Sequence, residues 1–538
     1  MKNSFQMSII NLKNSIICFT ILLCLLYSNS IYANNISVSK VVISSKNVSA
    51  GLNNVANFSI IQFDISWENS WRVSYDRKNW DAAWLFIKYR AEGGAWQHAY
   101  LNNTGHTAPT GSTIQTGLLS PSSAFNITAN PGMGAFIYRS ANGKGLFSKT
   151  GVQLRWNYGA NAVTDAAQVE IQVYAIEMVY VPLGSYYLGT EGTETSAFYL
   201  SNSFSQTPTF PVTSEAQITV SGSINNLYYP SSTYSGDQTG SLVAAFPKGY
   251  SAYYSMKYEI SQQGYVDFLN SLTRVQQNAR TATSLVVGTT SITNRYVMAN
   301  TSTLSYRNGI RCNATIHTSD PLTFYCDYDG DGIGGESTDG QNIACNYLNC
   351  SDLLAYLDWS GLRPMTELEY EKSCKGNNFP LKNIYAWGNT LTVPPTTLLN
   401  PGTSNETSST NNANANVNGV IAGPMRVGAF ASAATTPESA GASYYGIMEL
   451  SGNVTEQTIT IGNASGRAFT GIHGNGVLDV SGNANVTLWP VAGLGAGLRG
   501  GSWQLISGSN RCSDRQSAAL TSDVRDQYKG GRGVRLAP

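Results

Sequence analysis

The sequence predicts an α+β protein in two parts: an all-β, sandwich-like region over residues 34–176, and a longer irregular region with few helices over 177–538. Three observations carry that expectation. Phe63-Asp64-Ile65-Ser66-Trp67 and Gln168-Val169-Glu170-Ile171-Gln172-Val173 alternate apolar and polar residues. A period of two puts one face of a strand in a core and the other in water. Between such runs lie turn clusters of Gly, Asn, Pro and Ser, and Trp84-Leu85-Phe86-Ile87 is a continuous apolar run of the kind found in strands buried on both faces. Near Glu177-Met178-Val179-Tyr180-Val181-Pro182 the texture changes, and the chain beyond is rich in Gly and Asn and heavy in loops.

The elements follow in order. Residues 1–33 read as a secretory signal: Lys2 and Lys13 supply positive charge, residues 16–26 form an apolar run, and Ser28–Ala33 is polar and ends on a small residue. The run is shorter than the roughly 20 residues that span a bilayer. Cleavage is expected after Ala33, and Leu23 argues against lipid attachment at Cys24. With no second long apolar stretch, the mature chain is expected to be secreted or held at the cell surface without a transmembrane segment. Strands then fill 34–176. In the second region one helix begins after Ser261 as N-cap, with Tyr265, Phe268, Leu269 and Leu272 on one face. Another begins after Thr366, where Thr366-Glu367-Leu368-Glu369 is a capping box. A third, short one is expected at Asp352–Leu357, and 394–419 reads as a long surface loop.

Composition removes some classes of function. The chain of 538 residues carries 33 Lys+Arg and 33 Asp+Glu, a net charge of zero, with 12% charged and 42% hydrophobic residues. A protein neutralising phosphates needs a basic face, so no nucleic-acid partner is expected, and a disordered chain would lack the apolar content. Six cysteines follow the signal: Cys312, Cys326, Cys345, Cys350, Cys374 and Cys512. An even count in an exported chain permits disulfides, and free buried thiols are the alternative. None of the spacings forms a zinc site.

From Met178-Val179-Tyr180-Val181-Pro182 onward, ordered landmarks accumulate: Lys257-Tyr258-Glu259-Ile260-Ser261; Gly361-Leu362-Arg363-Pro364-Met365-Thr366-Glu367-Leu368-Glu369-Tyr370-Glu371; Tyr385-Ala386-Trp387-Gly388; Gly446-Ile447-Met448-Glu449-Leu450-Ser451-Gly452-Asn453-Val454-Thr455-Glu456; Arg499-Gly500-Gly501-Ser502-Trp503; and Gly533-Val534-Arg535-Leu536. Together they resemble the formylglycine-generating, or sulfatase-modifying factor, family over about two thirds of the chain. The resemblance implies a C-type-lectin-like fold and three kinds of relative: a copper-dependent oxidase that makes formylglycine, iron enzymes of sulfoxide synthesis, and non-catalytic binding proteins.

The resemblance also implies what to look for. The oxidase uses two cysteines after the Gly-Gly-Ser-Trp turn, where two thiolates suit a soft cuprous ion. The corresponding positions here are Leu505 and Asn510, so copper is not expected. The iron branch needs clustered histidines, and His98, His106, His317 and His473 are scattered. Calcium in the family sits at the Ser-Gly-Asn turn; by position its ligands would be the Glu449 and Glu456 side chains with the Gly452 and Val454 carbonyls, the alternative being a tight turn without an ion. Thr455 stands where the family has Trp. Independently, Asp327-Tyr328-Asp329-Gly330-Asp331-Gly332 spaces Asp327, Asp329 and Asp331 as a calcium loop does, although position twelve is Thr338 rather than Glu.

The reading that results is an exported binding or surface module with no catalytic residues. Its contact surface would lie in the stretch after Trp503, where Gln504, Asn510, Asp514 and Gln516 offer adaptable hydrogen bonding to an unknown protein or glycan at the cell surface. The alternatives are a divergent metal-dependent oxidase and a structural subunit of an extracellular assembly.

Overall fold

The computed structural model describes residues 36–202, 208–378, 381–432 and 435–538; the signal segment expected at 1–33 lies outside them. Strands dominate and helices are few and short. The first region supplies β1 (Ser37–Asn47), β2 (Phe58–Arg72), β3 (Asp81–Ala91), β4 (Ser112–Leu118), β5 (Gly132–Arg139), β6 (Gly143–Trp156) and β7 (Val169–Val181). The second adds β8 (Tyr253–Met256), β9 (Arg363–Pro364), β10 (Glu456–Ile459), β11 (Ala496–Arg499) and β12 (Gly533–Leu536) to the frame of the site. Its helices are α1 (Gln262–Asn270), α2 (Arg274–Ala279), α3 (Cys350–Trp359), α4 (Glu367–Lys375) and α5 (Ala464–Arg467). No helix among the described residues is long and apolar enough to cross a membrane.

β1, β2 and β6 form a three-stranded sheet, while a large sheet runs β9-β12-β8-β7-β3-β5-β4, with Gln97–His98 paired to β3. The alternating residues Ile61, Phe63, Ile65 and Trp67 of β2 are buried against Ala83, Leu85, Ile87 and Tyr89 on one face of β3. The other face of β3 is equally dry: Trp84 and Phe86 pack into a second core with Phe268 of α1 and Trp359 of α3. The Phe86 and Trp359 rings meet edge to face at 5.0 Å, and Trp84 Nε1 donates to the Ser360 carbonyl at 2.8 Å. Each such ring contributes about 1.5–3 kcal/mol by burial, so β3 anchors two cores at once.

β7 does the same along its length. Val169–Val179 pairs with β3 and Met178–Val181 pairs with β8. The texture change at residue 177 therefore falls inside a continuous strand. β12 lies between β8 and β9, so the far end of the chain closes the sheet that the first region began.

The helix signals read from sequence sit where they were expected. Ser261 caps α1 by accepting from Gly264 N at 3.2 Å, and Tyr265, Phe268, Leu269 and Leu272 are buried. The Thr366/Glu369 capping box forms at the start of α4. The short third helix is longer than expected, starting after Asn349, whose own capping box with Asp352 was not anticipated. α2 was missed because Arg274–Ala279 is polar and has no apolar period, although Thr273 and Gln276 box its start. The 394–419 segment is not wholly a surface loop: Leu398–Leu399 pairs with Thr407–Ser408, and Glu406, Asn416 and Val417 are buried.

The disulfides expected from the cysteine count are absent. Cys312, Cys326, Cys345, Cys350, Cys374 and Cys512 are all free and buried, filling core space as small hydrophobes. Burial pushes Cys312 and Cys350 up to about 12. Cys374 and Cys512 are packed in the same buried cluster.

Candidate functional site

The site is built on a buried ionic frame. α4 turns Glu367 and Glu371 inward, one helical turn apart, where they meet Arg499 at the end of β11. Arg499 Nη1 donates to Glu367 at 3.1 Å and Nη2 to Glu371 at 3.0 Å. Arg515 adds a two-pronged contact to Glu367 at 2.8 and 3.0 Å, and Lys375 donates to Glu371 at 2.6 Å. All of these side chains are buried. Burial alone would raise Glu371, but Lys375 and Arg499 outweigh it and hold the carboxyl below its ordinary 4.5. Such a frame fixes where β11 ends, and hence where the next turn starts.

That turn is Gly500-Gly501-Ser502-Trp503. Gly500 and Gly501 have φ of 79° and 65°, and a Cβ on Gly501 would lie 2.1 Å from Asn510 Oδ1; only glycine fits a left-handed position this close to a neighbour. The second motif turn packs alongside: Gly452 N donates to the Gly500 carbonyl at 2.9 Å, and Trp503 N to the Asn453 carbonyl at 2.8 Å. β10 continues from that turn and pairs with β11. Two glycine turns, far apart in sequence, are thus bonded into one rim.

Beside this rim lies a cavity of about 220 Å³ whose lining includes Thr455, Arg499, Gln504, Leu505, Asp514 and Gln516, together with Ser509, Ser517, Leu520 and Tyr528. Three of the four residues singled out for binding therefore share one depression. The fourth does not. Asn510 is fully buried, and its Nδ2 donates to the Ile506 carbonyl at 2.9 Å, so it closes the loop from within and offers nothing to a partner. Leu505, at the first expected cysteine position, is a 37% exposed wall of the cavity. Gln504 Oε1 accepts from Gln527 at 3.3 Å, and Asp514 accepts from Gln516 N at 3.1 Å. Burial raises the Asp514 carboxyl and carries Tyr528 up to about 12, leaving a neutral phenol.

No thiol or imidazole lines this cavity. Cys512 lies behind Arg499, which donates to its carbonyl at 2.7 Å; its contact with Cys374 is in the core, and burial lifts its thiol well above 9.0. A leucine wall and a buried asparagine do not fit copper(I), which calls for thiolates. The histidines are dispersed: His98 Nε2 bonds the Met133 carbonyl, His106 accepts from Arg155 N, His473 accepts from Leu536 N, and His317 is exposed beside Asp320.

The first calcium constellation is partly consumed by protein groups. Glu449 Oε1 accepts from Gly428 N at 2.7 Å and Glu456 Oε1 from Arg532 Nε at 2.5 Å. The other oxygen of each, Oε2, is buried without a hydrogen-bond partner. Glu259, unremarked in the sequence, joins them by accepting from Val454 N at 2.9 Å and Asn453 Nδ2 at 2.6 Å. Burial, opposed chiefly by Arg532, pushes Glu449 up to about 7. In the second constellation Asp327, Asp329 and Asp331 do not form one cluster: Asp327 and Asp329 gather with Asp339, and Asp329 and Asp331 with Glu336, so that Asp329 alone is common to both groups and two residues not foreseen, Asp339 and Glu336, complete them.

The chain itself belongs to a known family. Residues 164–537 match the sulfatase-modifying factor enzyme 1-like domain, and that match, covering more than half the sequence, makes the chain a member of the sulfatase-modifying factor family. Comparison with curated proteins finds no match.

Proposed function

We propose that this chain is an exported recognition module, a sulfatase-modifying factor domain in which the cavity beside the Gly-Gly-Ser-Trp turn binds a protein or glycan at the cell surface instead of oxidising a cysteine. The observation that carries this reading is the lining of that cavity: Gln504, Asp514, Gln516 and Tyr528 are hydrogen-bonding groups on a rigid rim, with neither a thiol nor an imidazole among the lining residues. Loops held by a fixed frame are where recognition is placed. Export is supported by the amino-terminal segment, and mass measurement of the mature chain, expected to begin at Asn34, tests it.

Calcium is proposed at Glu449 and Glu456, with Gly452 and Val454 contributing carbonyls. The two orphaned carboxylate oxygens support this, because a hard cation would satisfy both. The ion's role would be to brace the rim, since Gly452 is bonded to Gly500. Thermal unfolding with and without calcium checks it: added calcium should raise the midpoint in the parent and not in Glu449→Gln.

The test of recognition is a pulldown from the native cell surface with the parent and with the triple variant Gln504→Ala, Asp514→Ala, Gln516→Ala. Capture should be lost in the variant while its unfolding stays cooperative and within about 1–3 kcal/mol of the parent, the cost of the two backbone hydrogen bonds that Asp514 accepts. Equal capture would reject the surface named here. Loss of mass from a cysteine-containing sulfatase peptide incubated with copper and the protein would instead show that the domain oxidises.

A further inference from the structure

The loop from Asp327 to Asp339 is a second place where negative charge is concentrated. Asp327, Asp329 and Asp339 each present an oxygen within 4.8 Å of the others, and Asp329, Asp331 and Glu336 form another such group. Two oxygens on one calcium ion, at about 2.4 Å each, stand at most about 4.8 Å apart, so these separations are those of a cation shell. Five carboxylates gather here, and the ion pair from Arg311 to Asp327 is the one salt bridge any of them makes among the described residues.

An acidic loop alone would say little, because exposed carboxylates repel one another into water. Asp339 is different. It is fully buried; its Oδ2 accepts from Glu336 N at 2.7 Å, and its Oδ1 has no hydrogen-bond partner at all. An unpaired carboxylate oxygen sealed away from water is costly, and this one belongs to a group aimed at Asp327 and Asp329. The remaining bonds hold the loop open around that point. Asp327 Oδ1 accepts from Gly330 N and Gly332 N at 3.1 and 3.3 Å, and Ile333 N donates to Asp331 at 2.7 Å. Gly330 and Gly332 have φ of 83° and 92°, the turns that bring alternate aspartates to one side. Thr338, at the twelfth position of the motif, spends its hydroxyl on Asp329 Oδ2 at 2.6 Å.

We propose that this loop binds one calcium ion between Asp327, Asp329 and Asp339, with Asp339 as the closing ligand in place of the twelfth residue and with Asp331 and Glu336, grouped on the other side of Asp329, contributing from the solvent side. The donors are all hard oxygens, which select calcium over zinc or copper. The site is independent of the recognition cavity and of the Glu449 site, and stands or falls separately from both.

Terbium replaces calcium in oxygen sites and luminesces when a nearby tyrosine is excited, and Tyr325 and Tyr328 flank the loop. Full-length protein carrying Glu449→Gln, so that only this loop is read, is stripped with chelator and titrated with terbium, then with calcium in competition. One saturable site is expected. Asp339→Asn should weaken it by about tenfold or more, and Glu336→Gln measurably, as loss of a ligand does; Asp320→Asn, at an exposed carboxylate outside the loop beside His317, should leave it unchanged. Should Asp339→Asn fail to fold, the exposed Glu336→Gln decides. Parent-like binding by the folded ligand variants, or the absence of saturable emission, overturns the assignment.

Discussion

Two regions of this protein are held in different ways. The first, between β2 and β3, is apolar and regular: Ile61, Phe63, Ile65 and Trp67 face Leu85, Ile87 and Tyr89, and the backbone polar groups are satisfied by the ladders on either side. The second surrounds α4 and the glycine turns, where ladders are two to four residues long. There the carbonyls must find other donors, and buried cations supply them. Lys372 donates to the Pro182 carbonyl at 2.7 Å, Arg515 to Ser196 at 3.1 Å, Arg426 to Glu406 at 2.9 Å, and Arg499 to Cys512 at 2.7 Å. A chain with only 12% charged residues spends many of them inside, replacing the hydrogen bonds that a regular sheet would have made. Irregular backbone is stabilised here by charge placed where it cannot be solvated, and each such charge depends on its partner.

That contrast can be broken at several levels. The largest effect is expected from Arg499→Met, which removes the one cation that Glu367 and Glu371 share and leaves them in the interior with Arg515 and Lys375 alone. Removing one partner of a buried pair costs about 3–5 kcal/mol, so urea unfolding followed by tryptophan fluorescence should show a large loss, with the second core melting first. Equal stability of parent and variant would mean that the frame is not held by charge. The same frame fixes a pH response. Glu371 is held below 4.5, so its stabilisation is full above that pH and is lost as the pH falls through its lower folded value.

In the first core, Ile65→Val should cost only about 0.5–1.5 kcal/mol, the price of one methylene and a small cavity. A loss as large as that of Arg499→Met would erase the distinction between the two regions.

A smaller and opposite pH effect comes from α1. Burial raises Asp267 from 3.8 to about 6, so the folded protein holds this proton more tightly than the unfolded chain. Stability should therefore fall as pH rises between about 4 and 6, and Asp267→Asn should flatten that slope in chemical denaturation curves. The smallest effect is chemical: native protein should react slowly with a thiol reagent, and the unfolded chain from Asn34 onward, without Cys18 and Cys24, should release six equivalents, matching six free cysteines. Four equivalents, with Cys374 and Cys512 silent, would restore the pairing expected of an exported chain.

The same contrast explains what could be read in advance. β2 and the first half of β7 were legible because one face is wet, which imprints a period of two; Trp84–Ile87 was legible because both faces are dry. α1 and α4 announced themselves through Ser261 and Thr366. The cavity was legible only in part: Gln504, Asp514 and Gln516 share it, but Asn510 looks in sequence like any polar loop residue, and only the close approach of Gly501 shows why it is buried. Glu259, Glu336 and Asp339 carried no local signal, because their importance lies in neighbours brought from elsewhere or across a turn. Buried arginines are hidden for the same reason, since nothing in the residues around Arg499 reveals that two carboxylates from α4 await it.

β12 sits between β8 and β9, and β7 joins β8 to β3. Neither half of the large sheet can acquire its full set of neighbours until residues 533–536 have been made and threaded into place, some 280 positions after β8. Assembly must therefore wait on a contact of very long sequence separation, which slows folding. An incomplete chain would present the bare edges of β8 and β9 to whatever chaperone accompanies it.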